Sequence, residues 1–347
     1  MSQIGNSSIA RPAAFRAALA LVLFLAPCFA PSLASLSAES GLPPIGRLAL
    51  ARYSLSFLTW DRAREIMKIQ ILGPDGAISG PPPGSWDAAV AAWSPDGKRL
   101  AYIIHYGDRD WSLFLIEVGA AGRRRLSQGF LDYCPSWSPD GKRLAFARNG
   151  HLWVADLGQG PEASLSNPRQ LSSAPQECVW STAWSPDGSR IAFSAQKGDP
   201  TGGAAWNDDA SSEIWTIRAD GSELRRLTED RSVEFQPTWS PDGSRIAFFS
   251  NRDGDPSYTM KRSFGERGAG GSFSIYSMKA DGSELRRLTD SGSNDMYPAW
   301  SPDGDFIAFS SIRDGNSELY LMRSDGGEQS RLTTLPTDDT QPAWLRR

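Results

Sequence analysis

Trp137-Ser138-Pro139-Asp140-Gly141 is the stretch whose reading decides the fold, because it is one of five copies. The others begin at Trp93, Trp184, Trp239 and Trp300, and Gln341-Pro342-Ala343-Trp344 is a sixth copy that stops before the turn. Successive tryptophans lie 44 to 61 residues apart, a period that belongs to propellers and solenoids. Each complete copy is followed by a short β-rich run such as Arg143-Leu144-Ala145-Phe146 or Arg245-Ile246-Ala247-Phe248. Proline presets the first central position of a type I turn, Asp suits the second, and Gly accepts the positive φ that follows. The unit is therefore strand, tight hairpin, strand.

Working outward, a third strand follows in each repeat, as in Glu213-Ile214-Trp215-Thr216-Ile217-Arg218 and Glu318-Leu319-Tyr320-Leu321-Met322-Arg323, with the period-2 alternation of a strand. An Asp-Gly turn comes next at Asp220-Gly221, Asp281-Gly282 and Asp325-Gly326. A basic edge strand then ends in Arg-Leu-Thr, as at Arg226-Leu227-Thr228. Four antiparallel strands per repeat make a propeller blade. Gly46 to Arg52 reads as a second strand, and Glu65 to Gln70 with Pro74-Asp75-Gly76 as a third strand and its turn. The N-terminal part thus supplies strands two to four of a blade whose first strand is Thr340 to Leu345. The expectation is an all-β, six-bladed propeller over residues 46–347, closed by pairing of the chain's two ends, which removes the strand edge that an open fan of blades would expose at each end.

Before it, Arg11 and Arg16 precede an apolar run from Ala17 to Ala30, the layout of a secretory signal peptide. Cleavage is expected after residue 34, or as late as 38, leaving 35–45 as a linker. The apolar run is too short to span a bilayer comfortably. Lipidation at Cys28 is disfavoured because Pro27 stands where Gly, Ala or Ser is wanted. A periplasmic or secreted chain without a transmembrane anchor follows. Export would leave Cys134 and Cys178 in an oxidising compartment, and a disulfide between them is expected. With 36 basic and 40 acidic side chains, the charge balance gives no reason to expect nucleic acid as a partner.

The Pro-x-Trp-Ser-Pro-Asp-Gly-x-x-Ile-Ala-Phe run, with its following Glu-Ile/Leu-Tyr/Trp, Asp-Gly and Arg-Leu-Thr, resembles the WD-like Pro-Asp repeats of the TolB-type six-bladed propellers. The resemblance covers residues 46–347. It implies the fold, and a periplasmic role in binding a protein partner such as a peptidoglycan-associated lipoprotein. The α/β domain that precedes the propeller in that family has no counterpart between the apolar run and the first repeat.

Candidate sites lie where loops are long. Ala195 to Ser211 and Asn251 to Gly271 account for the longer spacings, on the face opposite the Ser-Pro-Asp-Gly hairpins, and they carry Trp206 and Tyr258. Four residues before the tryptophans stand Tyr133, Trp180, Phe235 and Met296, expected partner-binding anchors. Five residues before stand Asp132, Glu234, Asp295 and Asp339, expected to ring the mouth of the central channel. Such acids could meet a cation or a basic peptide, or could equally cap their own loops. Only two histidines are present, His105 and His151, too few for a three-histidine metal centre, and Gly-x-Ser-x-Gly is missing. No cofactor, metal or catalytic residue is expected. The reading is a non-enzymatic, monomeric propeller that binds a protein or peptide. The alternative is a hydrolase or lyase acting on a glycan or peptide through the channel carboxylates.

Overall fold

In the computed structural model, the described residues are 42–50, 52–61, 66–73, 77–79, 89–105, 111–118, 122–128, 131–160, 162–172, 177–197, 211–254 and 273–345. The signal-peptide segment, Trp206 and Tyr258 lie outside them. The described strands form six four-stranded antiparallel sheets. In chain order, β1 (Ser54–Asp61), β2 (Ile66–Leu72) and β3 (Ile78–Ser79) begin blade I. Blade II is β4 (Ala89–Trp93), β5 (Arg99–His105), β6 (Trp111–Glu117) and β7 (Arg124–Arg125). Blade III is β8 (Asp132–Trp137), β9 (Arg143–Arg148), β10 (His151–Leu157) and β11 (Leu165–Gln170). Blade IV is β12 (Glu177–Trp184), β13 (Arg190–Lys197), β14 (Ser212–Arg218) and β15 (Arg225–Arg226). Blade V is β16 (Glu234–Trp239), β17 (Arg245–Ser250), β18 (Ser274–Lys279) and β19 (Arg286–Arg287). Blade VI is β20 (Asp295–Trp300), β21 (Phe306–Ser311), β22 (Glu318–Arg323) and β23 (Ser330–Arg331). The last strand, β24 (Asp338–Leu345), pairs with β1 and so completes blade I, with Leu55 opposite Trp344 and Thr59 opposite Asp339. The expected closure of the ring is present.

One expected strand is not. Gly46 to Arg52, read as the second strand of the closing blade, falls in a helix, α1 (Pro44–Leu50), and its place in the sheet is taken by β1. Proline at the first helical position is preorganised for a helix and gives up a donor that has no partner there anyway. Ile45, Ala49 and Leu50, spaced for one helical face, pack with Leu319, Leu321 and Leu332 of blade VI. Arg52, just past the helix, donates to Asp303 (2.8 Å) and Asp305 (3.1 Å) of the hairpin between β20 and β21.

The repeated turn holds itself together. In blade III, Ser138 Oγ donates to Asp140 Oδ1 (2.5 Å) and accepts from the Arg143 N–H (2.9 Å), while Asp140 accepts from the Lys142 N–H (3.0 Å). Gly141 takes φ +67°, which a side chain would strain. The same bonds recur at Ser94, Ser185, Ser240 and Ser301. The tryptophans join blade to blade: Trp137 Nε1 donates to the Ala92 carbonyl (2.9 Å), Trp239 to Ala183 (3.1 Å) and Trp344 to Ala299 (3.0 Å). Arg99 reaches across the same seam to lie over the Trp137 ring.

The Arg-Leu-Thr ending explains how a two-residue edge strand suffices. The Leu227, Leu288 and Leu332 amides continue the ladder onto the third strand. The threonine hydroxyl then accepts the next third-strand N–H, at Ile214, Ile275 and Leu319. Of the paired arginines, Arg225 and Arg286 point outward, the protective arrangement for an edge. Arg226 and Arg331 instead reach inward to Glu213 and Glu318.

A central channel as candidate functional site

Every first strand is broken by a bulge just before its tryptophan. Pairing skips between Tyr133 and Ser136, Phe235 and Thr238, and Met296 and Ala299. The skipped residues contain Pro135, Pro237 and Pro298, and a proline cannot donate to the ladder, so the strand stays in register only by bulging. The residue before each proline takes positive φ: Cys134 at 50°, Gln236 at 54°, Tyr297 at 56° and, in β24, Gln341 at 53°. Val90 does the same in blade II without a proline.

These residues line a cavity of about 680 Å³ bounded by the first strands of all six blades and by their Ser-Pro-Asp-Gly hairpins. Pro95, Pro139, Pro186, Pro241 and Pro302 form its mouth. At its inner end Tyr297 is 4% and Cys134 8% exposed, with Gln236 and Gln341 half-buried beside them. Gln236 lies beside the Cys134 thiol and Gln341 beside the Tyr297 phenol. Around the mouth, the serine hydroxyls hold the Asp96, Asp140, Asp187 and Asp242 carboxyls below the usual carboxylate range. At Asp303 burial pushes the other way, but Ser301 and Arg52 outweigh it. A ring of anions therefore surrounds an apolar wall of proline and tryptophan with amide and phenol groups at its base.

Burial pushes the Cys134 thiol up to about 12, against the opposing pull of the neighbouring Gln236 amide, and burial likewise raises the Tyr297 phenol. Neither is a ready nucleophile at neutral pH. Cys134 is also a free thiol, so the disulfide expected with Cys178 is not formed. Register is the reason. The blade IV residue equivalent to Cys134 is Ser181, whereas Cys178 pairs with Gln196 three residues further along β12, roughly 10 Å away at strand rise. Iodoacetamide should therefore modify the Cys134 peptide only after unfolding; rapid labelling of the native chain, read by peptide mass, would contradict this burial.

The four expected channel acids are elsewhere. Asp132, Glu234, Asp295 and Asp339 are all fully buried and none lines the cavity. Asp132 is gripped by Arg148 through two bonds of 2.7 and 2.8 Å, Glu234 by Arg252, and Asp295 by Arg313 at 2.9 Å. A buried carboxylate needs a counter-charge, and an arginine at or just past the end of the second strand supplies it. Arg252 belongs to the Asn251–Gly254 turn, which closes by its own backbone bond. Among the expected anchors, Phe235 and Met296 are core residues, packed with Phe249, Phe273 and Tyr297; the strand simply turns them into the blade. Tyr133 and Trp180 are half-buried and stacked on each other (5.7 Å), with Trp111 edge-on to Tyr133 (6.0 Å). The channel itself was legible only in the proline two residues before four of the six tryptophans, at whose bulge the preceding side chain turns inward.

A family model described as TolB beta propeller domain matches residues 150–269 and 266–347, more than half of the chain. The chain belongs to the TolB β-propeller family. Over 131 residues it is 34% identical to a TolB homolog of Chlorobium luteolum, covering 30% of each protein. Over 113 residues it is 34% identical to an uncharacterised peptidase, YuxL, of Bacillus subtilis, covering 32% of this chain and 14% of the peptidase. The TolB-like chain thus spans less than a third of these curated relatives. TolB from Acinetobacter baumannii superposes with a TM-score of 0.61 over 88% of this chain and 68% of that structure, at 20% identity, a likeness of fold. Among the described residues no helix is long and apolar enough to cross a membrane, and no cluster of His, Cys, Asp and Glu is placed to hold a metal ion.

Proposed function

We propose that this TolB-like propeller is a non-enzymatic binding protein of the cell envelope that takes a protein or peptide partner at the mouth of its central channel. The observation that carries the reading is the cavity: apolar walls, an anionic rim, and amide and phenol groups at the inner end. Such a site suits an extended segment with basic flanks and hydrogen-bonding side chains. Membership of the TolB family supports a protein partner and an envelope setting. A carboxylate hydrolase has less to stand on, because the acids that would serve it are buried and three of them are ion-paired.

Capture from an envelope fraction tests this. Gln236→Ala with Gln341→Ala removes two amides without opening the core, and retention of the partner is expected to fall about tenfold or more, at about 1 kcal/mol per hydrogen bond. Tyr133→Ala with Trp180→Ala, on the loop-rich side, should leave it intact. Loss only in the second variant would move the docking site to the loop-rich face.

A further inference from the structure

The interior of the channel cavity differs in charge from its rim. Among the described residues that line it there is no Asp, Glu, Lys, Arg or His. The wall is alanine, proline and tryptophan, with the hydroxyls of Ser136, Thr182 and Thr238. The floor is Cys134, Gln236, Tyr297 and Gln341, and burial keeps the thiol and the phenol protonated at neutral pH. The stretches that build the wall are described without a break. In blades II to VI no undescribed residue stands between the bulge and the start of the second strand, and β24 is described to Leu345. Arg346 and Arg347, which follow that mouth-end leucine, lie outside the described set.

The cavity is also blind. Its lining residues all lie between the bulge and the hairpin of their blades. The residues next further in are turned away from the axis: Phe235 and Met296 into the core, and Asp132, Glu234, Asp295 and Asp339 into full burial. Tyr297 and Cys134 are themselves nearly closed to water, so the floor side chains shut the bore. From Gln236 at the floor to Trp239 near the mouth is three residues, roughly 10 Å at strand rise.

A chain that enters must therefore leave by the same opening or end inside, and a chain end is charged. A terminal carboxylate would pass the rim aspartates and reach a floor without a cation. A terminal ammonium would clear the rim and find no anion beneath it. Burying an unpaired charge is costly whichever its sign. A reverse turn meets neither obstacle. Its arms return to within about 7 Å of each other, its tip carries peptide groups and neutral side chains, and Gln236 and Gln341 each offer an amide donor and an amide acceptor to them. Neutral sugar rings would also avoid the charge penalty, but they stack on open aromatic faces. Here Arg99 lies over the Trp137 ring (4.6 Å) and Arg143 over that of Trp184 (4.7 Å).

We infer that the cavity receives an uncharged reverse turn of the partner chain, tip first, with the partner's basic residues held at the rim, a conclusion that rests on the docking site proposed above and adds the form and charge of what enters it.

Phage display against the full native chain tests this with two libraries of short random peptides, one closed into a loop by flanking cysteines and one linear with a free N-terminus. Clones are sorted by whether Gln236→Ala with Gln341→Ala abolishes their capture. Thermal unfolding of that variant is compared with the parent first; if it is lowered, Gln236→Asn with Gln341→Asn, which draws both amides back from the floor, takes its place. Amide-dependent clones are expected to come at least about tenfold more often from the closed library, where the bound shape is preorganised, with uncharged residues at the loop centre and Lys or Arg beside it. In calorimetry with the best loop as a synthetic peptide, Asp or Lys placed at its centre should weaken binding at least about a hundredfold. Amide-dependent clones that favour the linear library, or that tolerate a central charge, overturn the inference and leave the docking site standing. If no clone depends on the amides, the peptide site fails and the inference with it, and maltoheptaose bound through the same amides would then assign the cavity to a glycan.

Discussion

A chain ending at Asp339, lacking Thr340 to Arg347, is expected to lose its cooperative thermal transition and to aggregate. Those residues are most of the innermost strand of blade I. Without them Ser54 to Leu58 lose their ladder partners, and the Trp344 bond to the Ala299 carbonyl and its edge contact with Tyr53 (6.0 Å) go with them. The buried cluster of Leu55, Phe57, Phe306 and Leu321, against which Trp344 packs, is opened to water. The inner edge of β1, which β24 covers in the closed ring, is also left unpaired. The cost should exceed about 5 kcal/mol, comparable with the entire stability of a typical domain. Calorimetry or circular dichroism against temperature checks it. An unchanged transition would mean that the ring does not depend on the pairing of β24 with β1.

Arg148→Ala should be the most damaging single substitution of those considered. Asp132 is fully buried and both its oxygens are bonded by Arg148, whose guanidinium also lies over the Phe146 and Trp153 rings at 4.9 and 5.7 Å. Removing it strands a carboxylate away from water. Breaking a buried pair in this way costs about 3–5 kcal/mol. Changing Asp132→Ala as well should recover part of the loss, since the charge is then removed with its partner. By contrast Arg52→Ala, whose side chain is about half exposed, should cost far less, because water screens its pairs with Asp303 and Asp305. Chemical denaturation of the three variants decides the order, and equal losses for Arg148→Ala and Arg52→Ala would refute the assignment of the buried pair.

The blades could be read from the chain because their chemistry is local. Ser138, Pro139, Asp140 and Gly141 close their turn with their own side chains, and a motif that needs no distant partner leaves its full signature in sequence. The ring closure was legible for the same reason, since Gln341 to Trp344 repeats the start of the motif. What could not be read is what depends on distance. Asp132 looks like a channel acid until Arg148, on the neighbouring strand, is seen to bury it. Gly46 to Arg52 shares Arg-Leu-Ala with a second strand, yet Pro44 before it and the 45, 49 and 50 spacing make a helix. Phe235 and Gln236 are neighbours with opposite fates, one in the core and one in the channel, and Pro237 is the residue that separates them.

That separation has a consequence for how such a molecule can change. Within one chain the bulge position before the proline already holds Cys134, Gln236, Tyr297 and Gln341, three different chemistries on one unaltered frame. Each blade offers the channel a single interchangeable side chain whose neighbours on either side carry the architecture. A new cargo could be accommodated by rewriting a handful of letters around the axis, with the turns, tryptophans and ion pairs left untouched. The propeller is in this sense a socket whose contacts are replaceable one at a time.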